Sequence, residues 1–277
     1  MIASDWGDWL IKEIEESDRL TLTAWYLGCN GLATKAADGT IIYIDPYLGL
    51  GDPPRTVRMI PVPFDPDVPS RAEAIFVTHE HTDHLHGPTL GPMLASTGAA
   101  LYAPQTSIDQ VLEAGWSDEY AISDEQLVAV TPGDSVEVGE VRVDVFECHD
   151  PDATEAVTYV LNDGLHTMVH CADGRPSETL EKIGQAFEVD IAFAAFGSTG
   201  VIPDKRTREP TVTTWYNDAN DVINMGYQLR TSVLVPTHWD MWKGLTADPT
   251  SLIENRRSLP HPERVVCIEI GDSIAPD

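Results

Sequence analysis

The chain has 277 residues, of which 42% are hydrophobic, which is typical of a folded protein with a substantial core. Its 45 acidic residues outnumber 17 basic ones and give a formal net charge of -28, which argues against nucleic acid or an anionic membrane as a partner. So many like charges repel one another, and salt screens this repulsion. The acidic composition therefore also indicates a halophilic protein from a high-salt cytoplasm.

The N-terminal segment and the cysteines bear on where the protein resides. MIASDWGDWL has no basic leader region, and no apolar run approaches the roughly 18 residues that a membrane span needs. We therefore expect a cytoplasmic protein. The cysteines lack CxxC spacing, which predicts buried thiols rather than a zinc ribbon or a disulfide framework. They are Cys29, Cys148, Cys171 and Cys267.

The first part of the chain predicts one helix followed by short strands. Trp6, Leu10 and Ile14 recur at helical spacing, so residues 1–18 are predicted to form an N-terminal amphipathic helix. The runs TLTAWYL, GLATKAA and TIIYIDP predict a meander of strands. A proline-rich loop covers Pro53–Pro69, and long loops of this kind tend to be functional.

The remainder of the chain predicts further strands and then an alternation of helices with strands. AEAIFVTH and AALYAP predict buried strands, with a helix over Ser107–Ala114, and SVEVG, VRVDVFECH, AVTYVLN and LHTMVHCAD predict four more. Helices are predicted over Ser177–Phe187, Val212–Leu229 and Pro249–Arg257, and DIAFAAFG, SVLVPTH and RVVCIEI predict strands. This order predicts an α/β fold of two mixed sheets flanked by helices, in a single domain over residues 1–277.

The stretch VTHEHTDHLHG concentrates histidines at the end of a predicted buried strand. His79 and His81 share one face of extended chain and can bind one ion, and the turn that follows lets Asp83 and His84 approach a second. Neutral imidazole and carboxylate are the ligands expected for Zn, Mn or Fe in a catalytic site. His86 lies outside this spacing and is expected not to bind metal.

Three later strand ends carry further candidate ligands: His149, Asp173 and His238. Asp150 is an alternative to its neighbour His149. His166 and His170 are expected to be packed or hydrogen-bonded. Asp45, in YIDPYL, is predicted either to orient a ligand histidine or to form a turn before proline.

THEHTDH and the later ligands resemble the pattern of the metallo-β-lactamase superfamily. WGDWLIKEIEES, WYLGCNGLATKAADGT, VHCADGRPS, VLVPTHWDMW and LTADP are similar, in order and spacing, to segments of its manganese-dependent L-ascorbate-6-phosphate lactonase family. The resemblance covers most of the chain. It implies an αβ/βα sandwich with a metal cleft at one edge of the sheets, often in oligomers. The metal ligands that it implies are His79, His81, Asp83, His84, Asp173 and His238, whereas His149 fits only the wider superfamily.

Together these features predict a metal-dependent hydrolase with a small-molecule substrate, a lactonase acting on a sugar-acid lactone, with one or two Mn or Zn ions. Histidine-rich ligation favours zinc, and the resemblance favours manganese. Such an ion lowers the pKa of a bound water, and the resulting hydroxide attacks the carbonyl group. Asp83 or Asp173 is predicted to transfer a proton to the leaving alkoxide. Arg206 and Arg208 are candidates to bind a phosphate on the substrate.

Other functions stay open for the same residues. A phosphodiesterase would use the same ligands but should show a basic face, and a glyoxalase-type thioesterase should carry a helical C-terminal extension. A redox di-iron protein usually has Glu where His81 stands. A metal-binding protein without catalysis should have a closed site with no exchangeable water.

Overall fold

The structure is a computed structural model that describes residues 3–256 and 259–277. Seven α-helices lie within these ranges: α1 (Trp9–Glu16), α2 (Gly87–Thr97), α3 (Gln105–Glu113), α4 (Trp116–Tyr120), α5 (Glu178–Ala186), α6 (Ala219–Leu229) and α7 (Thr250–Asn255). A short 3-10 helix covers Asp124–Gln126. Among the described residues, no helix is long and apolar enough to cross a membrane.

The strands of the first half are β1 (Thr23–Gly28), β2 (Gly31–Lys35), β3 (Ile41–Ile44), β4 (Ala74–Phe76), β5 (Ala100–Ala103), β6 (Leu127–Ala129), β7 (Ser135–Val138) and β8 (Val141–Glu147). Those of the second half are β9 (Val157–Asn162), β10 (Thr167–His170), β11 (Ile191–Ala195), β12 (Thr199–Pro203), β13 (Pro210–Thr214), β14 (Val233–Thr237), β15 (Arg264–Val265) and β16 (Ser273–Ile274).

The strands form two mixed sheets of the same design. The first has the order β16-β1-β2-β3-β4-β5-β6 and the second β15-β14-β11-β10-β9-β8-β7. In the first sheet the neighbours among β3, β4, β5 and β6 pair in parallel, and in the second sheet those among β10, β11, β14 and β15 do. The other neighbouring pairs in both sheets are antiparallel. The strands β12 and β13 form a separate antiparallel ribbon.

Alternate side chains of the strands build three apolar layers. On β1, Tyr26 points into the core between the sheets together with Phe76 and Phe193, whereas its neighbour Trp25 packs on the other face against α1 to α4. The outer face of the second sheet is covered by α5, α6 and α7. The predicted sandwich of two mixed sheets flanked by helices is confirmed. The assignment of residues 1–277 to a single domain stays a prediction.

Two predicted helices differ from the structure. The N-terminal helix begins only at Trp9, because Asp5 is hydrogen-bonded to Val62 through both its backbone and its carboxylate, and residues 5–8 form a bend and a turn instead of a helical turn. The prediction of a helix from Val212 is wrong for its first seven residues. Thr211–Thr214 lie in β13, where β-branched residues pair with β12, and the helix begins at Ala219 after an N-cap by Asp218.

Smaller differences lie elsewhere. The helix α2 was not predicted, since it begins with Gly-Pro and contains Pro92, yet it buries Leu90 and Leu94 against the first sheet. The last residue of the predicted helix Pro249–Arg257 lies outside the described residues. In RVVCIEI only Arg264–Val265 is a strand, and Cys267 is exposed, so the prediction of a buried thiol is wrong for this cysteine.

The sheet topology places chemically active residues at one edge. The strands β1, β3 and β4 run in the same direction, and Cys29, Asp45 and His79 follow their carboxyl ends. The second sheet repeats this arrangement, since β8, β10 and β14 share a direction and lead to further polar residues. The two sheets therefore present their carboxyl ends to a common cleft.

Candidate metal centre

Potential metal ligands from five segments converge in this cleft. They form three overlapping groups, and within each group all ligand atoms lie within 4.8 Å of one another. The groups are His79, His81, Asp150 and Asp173; His84, Asp173 and His238; and Cys29, Asp83 and His238. Of the predicted ligands, the structure thus brings together every one except His149.

The first group presents imidazole lone pairs to each other. Thr78 donates its hydroxyl proton to Asp45 at 2.6 Å, so it accepts from Nδ1–H of His79 at 2.9 Å. On His81, Nε2 lies 3.2 Å from the carbonyl oxygen of Asp152 and donates to it. These outward bonds fix both tautomers, which leaves Nε2 of His79 and Nδ1 of His81 as lone pairs only 2.9 Å apart. A cation between them removes this repulsion.

The second group is held by the buried carboxylate of Asp45. Its oxygens accept from the backbone N–H of Thr78 at 2.8 Å and from Nδ1 of His84, also at 2.8 Å. The Nε2 of His84 is therefore unprotonated in the neutral ring and faces Asp173 at 3.4 Å. A carboxylate behind a histidine is the usual device that orients a metal ligand, so the predicted orienting role of Asp45 is the one that this geometry supports.

Asp173 lies between the two histidine groups. Its Oδ1 accepts from the side-chain amide of Asn30 at 2.8 Å and lies 3.9 Å from Nε2 of His238. The orientation of Asn30 is fixed in turn, because its own side-chain oxygen accepts from Thr237 at 2.5 Å. His170 is committed elsewhere, with Nε2 2.7 Å from the Asn30 carbonyl, which agrees with its expected structural role.

Asp83 and Tyr216 lie at the mouth of the cleft. The side chain of Asp83 is 22% exposed, and its Oδ2 lies 3.4 Å from Nε2 of His238 and accepts from the Tyr216 hydroxyl at 3.5 Å. The Tyr216 ring stacks on the His238 ring with centroids 4.0 Å apart. Tyr216 is missed at the level of sequence, because it lies within the predicted helix Val212–Leu229 and in the structure follows β13.

The backbone around the cleft is strained. Five of the eight non-glycine residues with positive φ in the described chain border it: Cys29, Asp45, Ala172, Tyr216 and His238, with φ between 45° and 67°. Each such conformation costs on the order of 1–3 kcal/mol and persists where the surrounding structure imposes it, typically at functional sites.

Unpaired buried atoms and the charge balance both fit a bound cation. Nε2 of His84 and Oδ2 of Asp150 are buried without a hydrogen-bond partner, which normally costs about 1–3 kcal/mol each. Burial, followed by the neighbouring His84, lowers the pKa of His79 to about 3, so its ring is the neutral form that a metal requires. Two imidazoles and two carboxylates, as in the group of His79, His81, Asp150 and Asp173, suit a divalent ion such as Zn or Mn.

The structure places the remaining predicted residues away from the ligand groups. His149 is exposed, and its carbonyl accepts from the Arg175 backbone at 2.8 Å, so Asp150 points into the cleft instead. Arg206 and Arg208 are exposed in the turn between β12 and β13, where Arg208 pairs with Asp52 at 3.2 Å. His86 precedes α2 and contacts Thr89 and Tyr47, as expected of a residue that does not bind metal.

Comparisons with known proteins agree with this architecture. The model of the beta-lactamase superfamily domain matches residues 40–239. A protein of Salmonella gallinarum named "Probable L-ascorbate-6-phosphate lactonase UlaG" is 25% identical over an alignment of 294 residues. The alignment covers 90% of this chain and 78% of that protein.

Two solved structures have similar folds. Igni18, a metallo hydrolase from Ignicoccus hospitalis, superposes with a TM-score of 0.68 at 16% identity, over 93% of this chain and 99% of that one. An isothiocyanate hydrolase from Delia radicum gut bacteria gives 0.67 at 14% identity, over 91% and 98%. The chain thus belongs to the metallo-β-lactamase superfamily, in which its fold implies divalent metal ions and a hydrolase acting on a small molecule.

Proposed function

We propose that the protein is a lactonase, a carboxylic ester hydrolase that opens the ring of a sugar-acid lactone with the help of one or two Mn or Zn ions. The observation that carries this proposal is the cluster of inward-facing imidazole lone pairs with the partly exposed carboxylate of Asp83 beside it. The choice of a lactone is supported by the similarity to the Salmonella lactonase along 90% of the chain.

The ligand groups divide the metal-binding work. His79, His81, Asp150 and Asp173 would hold one ion, and Asp83, His84, Asp173 and His238 a second. When bound, a divalent ion makes water acidic enough to attack at neutral pH and stabilises negative charge on the carbonyl oxygen. Asp173 belongs to both groups, so its position, fixed by Asn30, sets the spacing between them.

We assign the proton transfer to Asp83. It is 22% exposed, whereas the Asp173 side chain is 9% exposed and has one oxygen occupied by Asn30. Opening a lactone leaves a tethered alkoxide that needs a proton, and a partly exposed carboxylate at the mouth of the cleft would accept a proton from water and donate it to that oxygen. Tyr216 restricts Asp83 to one side of the cleft through its hydroxyl contact.

The position of the basic turn bears on the substrate. Arg206 and Arg208 are separated from Tyr216 by β13, whose five residues span about 16 Å. Arg208 is also neutralised by Asp52. A lactone without a phosphate group therefore suits the cleft at least as well as a phosphorylated one.

A substrate panel tests the proposal. Protein stripped with a chelator and reconstituted with Mn or Zn at high KCl is assayed on sugar-acid lactones with and without phosphate, a phosphodiester and a thioester. We expect lactone hydrolysis to return on reconstitution and to exceed that of the other two. Hydrolysis of the phosphodiester or thioester alone would replace the lactonase proposal, and inactivity on all four would refute it.

Asp83→Asn tests the proton-transfer role in the same assay. We expect kcat to fall by about 10²–10⁴ when variant and wild type are compared at equal metal occupancy, because an amide cannot accept and return a proton. An unchanged kcat at full metal occupancy would remove Asp83 from the mechanism while leaving the lactonase proposal intact.

A further inference from the structure

A buried arginine holds together the first part of the proline-rich loop, which the proposed mechanism does not use. Arg58 is 9% exposed, and within the described chain its guanidinium donates only to backbone carbonyls. The acceptors are Tyr47 and Gly49, at 3.0 and 3.3 Å from Nη1, and Ile60 and Pro61, at 2.7–3.2 Å from Nε and Nη2. One side chain therefore joins the two ends of residues 47–61, the Arg58 loop.

This arrangement depends on the shape of the guanidinium group. Its five N–H donors lie in a rigid planar fork, and a buried cation is stable only where such donors find acceptors. A lysine carries its donors on one nitrogen and cannot reach carbonyls at both ends of the loop. Because Arg58 is buried and bonded to the backbone, it can influence a substrate only through the residues that it holds.

The Arg58 loop is joined to the segment that follows the metal ligand His238. Two backbone hydrogen bonds, at 2.8 and 3.0 Å, pair residues 57–59 with residues 241–243. They place Arg58 opposite Trp242, as in two antiparallel strands, and Trp242 comes four residues after His238. The conformation of the loop is therefore coupled to one side of the cleft.

The Arg58 loop reaches the cleft beside Asp83. Tyr47 packs edge-on against Trp242 with ring centroids 5.8 Å apart, in an apolar cluster that also contains Cys29. The Sγ of Cys29 packs on the ring of His238, 3.2 Å from Nε2, and lies 3.9 Å from Oδ2 of Asp83. This cluster thus connects the loop with the carboxylate to which we assign the proton transfer.

The same loop supports the aromatic residues at the mouth of the cleft. Arg55 donates from Nη1 to the carbonyl of Pro203 in β12 at 2.7 Å, and its guanidinium carbon lies 5.3 Å from the centroid of the Trp215 ring. Trp215 is half-buried and precedes Tyr216, whose hydroxyl contacts Asp83. The Arg58 loop therefore borders the Asp83 side of the cleft at two places.

We propose that Arg58 is a positioning residue for the substrate, because it fixes the Arg58 loop as a preformed wall against which the lactone binds beside Asp83. The inference rests on the proposed function and deepens it. A wall that is already ordered spares the substrate the cost of ordering it, so loss of Arg58 weakens substrate binding. The metal ligands are held by separate contacts, such as those of Asp45 and Asn30, so the ions and the chemical step are affected far less.

Steady-state kinetics of Arg58→Lys and Arg58→Met test this role, with the lactone that the metal-loaded wild type hydrolyses fastest. We expect KM to rise by about tenfold or more, with a far smaller change in kcat and the same zinc content per chain. Lys35→Met is the matched control, because Lys35 is a buried cation that donates to the carbonyls of Ile14, Glu15 and Ser17 at the end of α1. It should lower the free energy of unfolding and leave KM unchanged.

The outcomes separate this inference from the proposed function. A wild-type KM in folded Arg58 variants, an equal rise of KM in Lys35→Met, or a loss confined to kcat or zinc content overturns the positioning role and leaves the lactonase standing. No lactone hydrolysis by metal-loaded wild type refutes the proposed function and this inference with it. If neither Arg58 variant folds, amide hydrogen exchange of the wild type decides. The hydroxy acid produced from that lactone should slow exchange in residues 47–61, and unchanged exchange there would contradict the role of the loop.

Discussion

Asp45→Asn should lower the metal affinity by changing the tautomer of His84. The carboxylate accepts three hydrogen bonds, two from Thr78 and one from His84 Nδ1. In the variant the oxygen of the amide can still accept from the Thr78 backbone, but its NH2 group then faces the hydroxyl and the imidazole. The hydroxyl can turn and accept, whereas Nδ1 can accept only if the proton moves to Nε2, the atom that faces the ion.

The magnitude follows from these contacts. Loss of an orienting carboxylate costs about 10–100-fold in metal affinity, which corresponds to about 1.4–2.8 kcal/mol. The free energy of unfolding should fall by about 1.5–3 kcal/mol from the lost charge-assisted bond. Asn tolerates the positive φ of 45° at this position almost as well as Asp, so backbone strain adds little.

Zinc competition with a chromophoric chelator measures this affinity, and circular dichroism confirms folding. Asp144→Asn is the matched control, because Asp144 is a buried carboxylate that contacts Ser135 and Arg142 outside the cleft. We expect Asp144→Asn to change stability without changing zinc affinity. Wild-type zinc affinity in folded Asp45→Asn would refute the assignment of tautomers.

Three further predictions concern a ligand at the end of β8, the basic turn and the pH dependence of zinc binding. Asp150→Asn should reduce the number of zinc ions bound per chain under limiting zinc, whereas His149→Ala should not, and the reverse result in metal analysis would restore His149 as the ligand. Replacing Arg206 and Arg208 by Gln should change KM equally for phosphorylated and plain lactones, and a selective rise for the phosphorylated one would place the turn at the substrate. Burial lowers the pKa of His84, but the carboxylates of Asp173 and Asp45 raise it by more, so the pKa lies well above its ordinary value. The metal-free ring therefore holds its proton as the pH rises through neutrality, an incoming ion must displace that proton, and zinc affinity should increase with pH by about tenfold per unit and per proton released. Calorimetric titration in buffers of different ionisation enthalpy measures that release, and a pH-independent affinity would contradict it.

Strand periodicity was enough to predict most of the candidate site. A polar residue one to three positions after an apolar strand leaves the core at the sheet edge, and this rule found His79, Asp173 and His238 from the sequence. It failed between His149 and Asp150, because the strand ends at Glu147 and the connecting chain does not keep strand parity. The choice there depends on the backbone contact with Arg175, which is made far along the chain.

Contacts between distant segments account for the rest. The run TVTTWYNDANDVINM has helical and β-branched residues in succession, and only pairing with β12 assigns its start to a strand. Conversely, α2 forms despite Gly91 and Pro92 because Leu90 and Leu94 are buried against the first sheet. Cys29 carried no spacing signal in the sequence, since its partners Asp83 and His238 lie 54 and 209 residues away.

Stepwise reconstitution of the metal-free enzyme tests the central claim most directly. Zinc or manganese is added to chelator-treated protein while bound metal per chain and lactone hydrolysis are measured on the same samples. We predict that hydrolysis is absent without metal, rises as the His and Asp groups fill, and reaches its maximum at one or two ions per chain. Full metal occupancy without hydrolysis, or hydrolysis that persists in metal-free protein, would contradict the account.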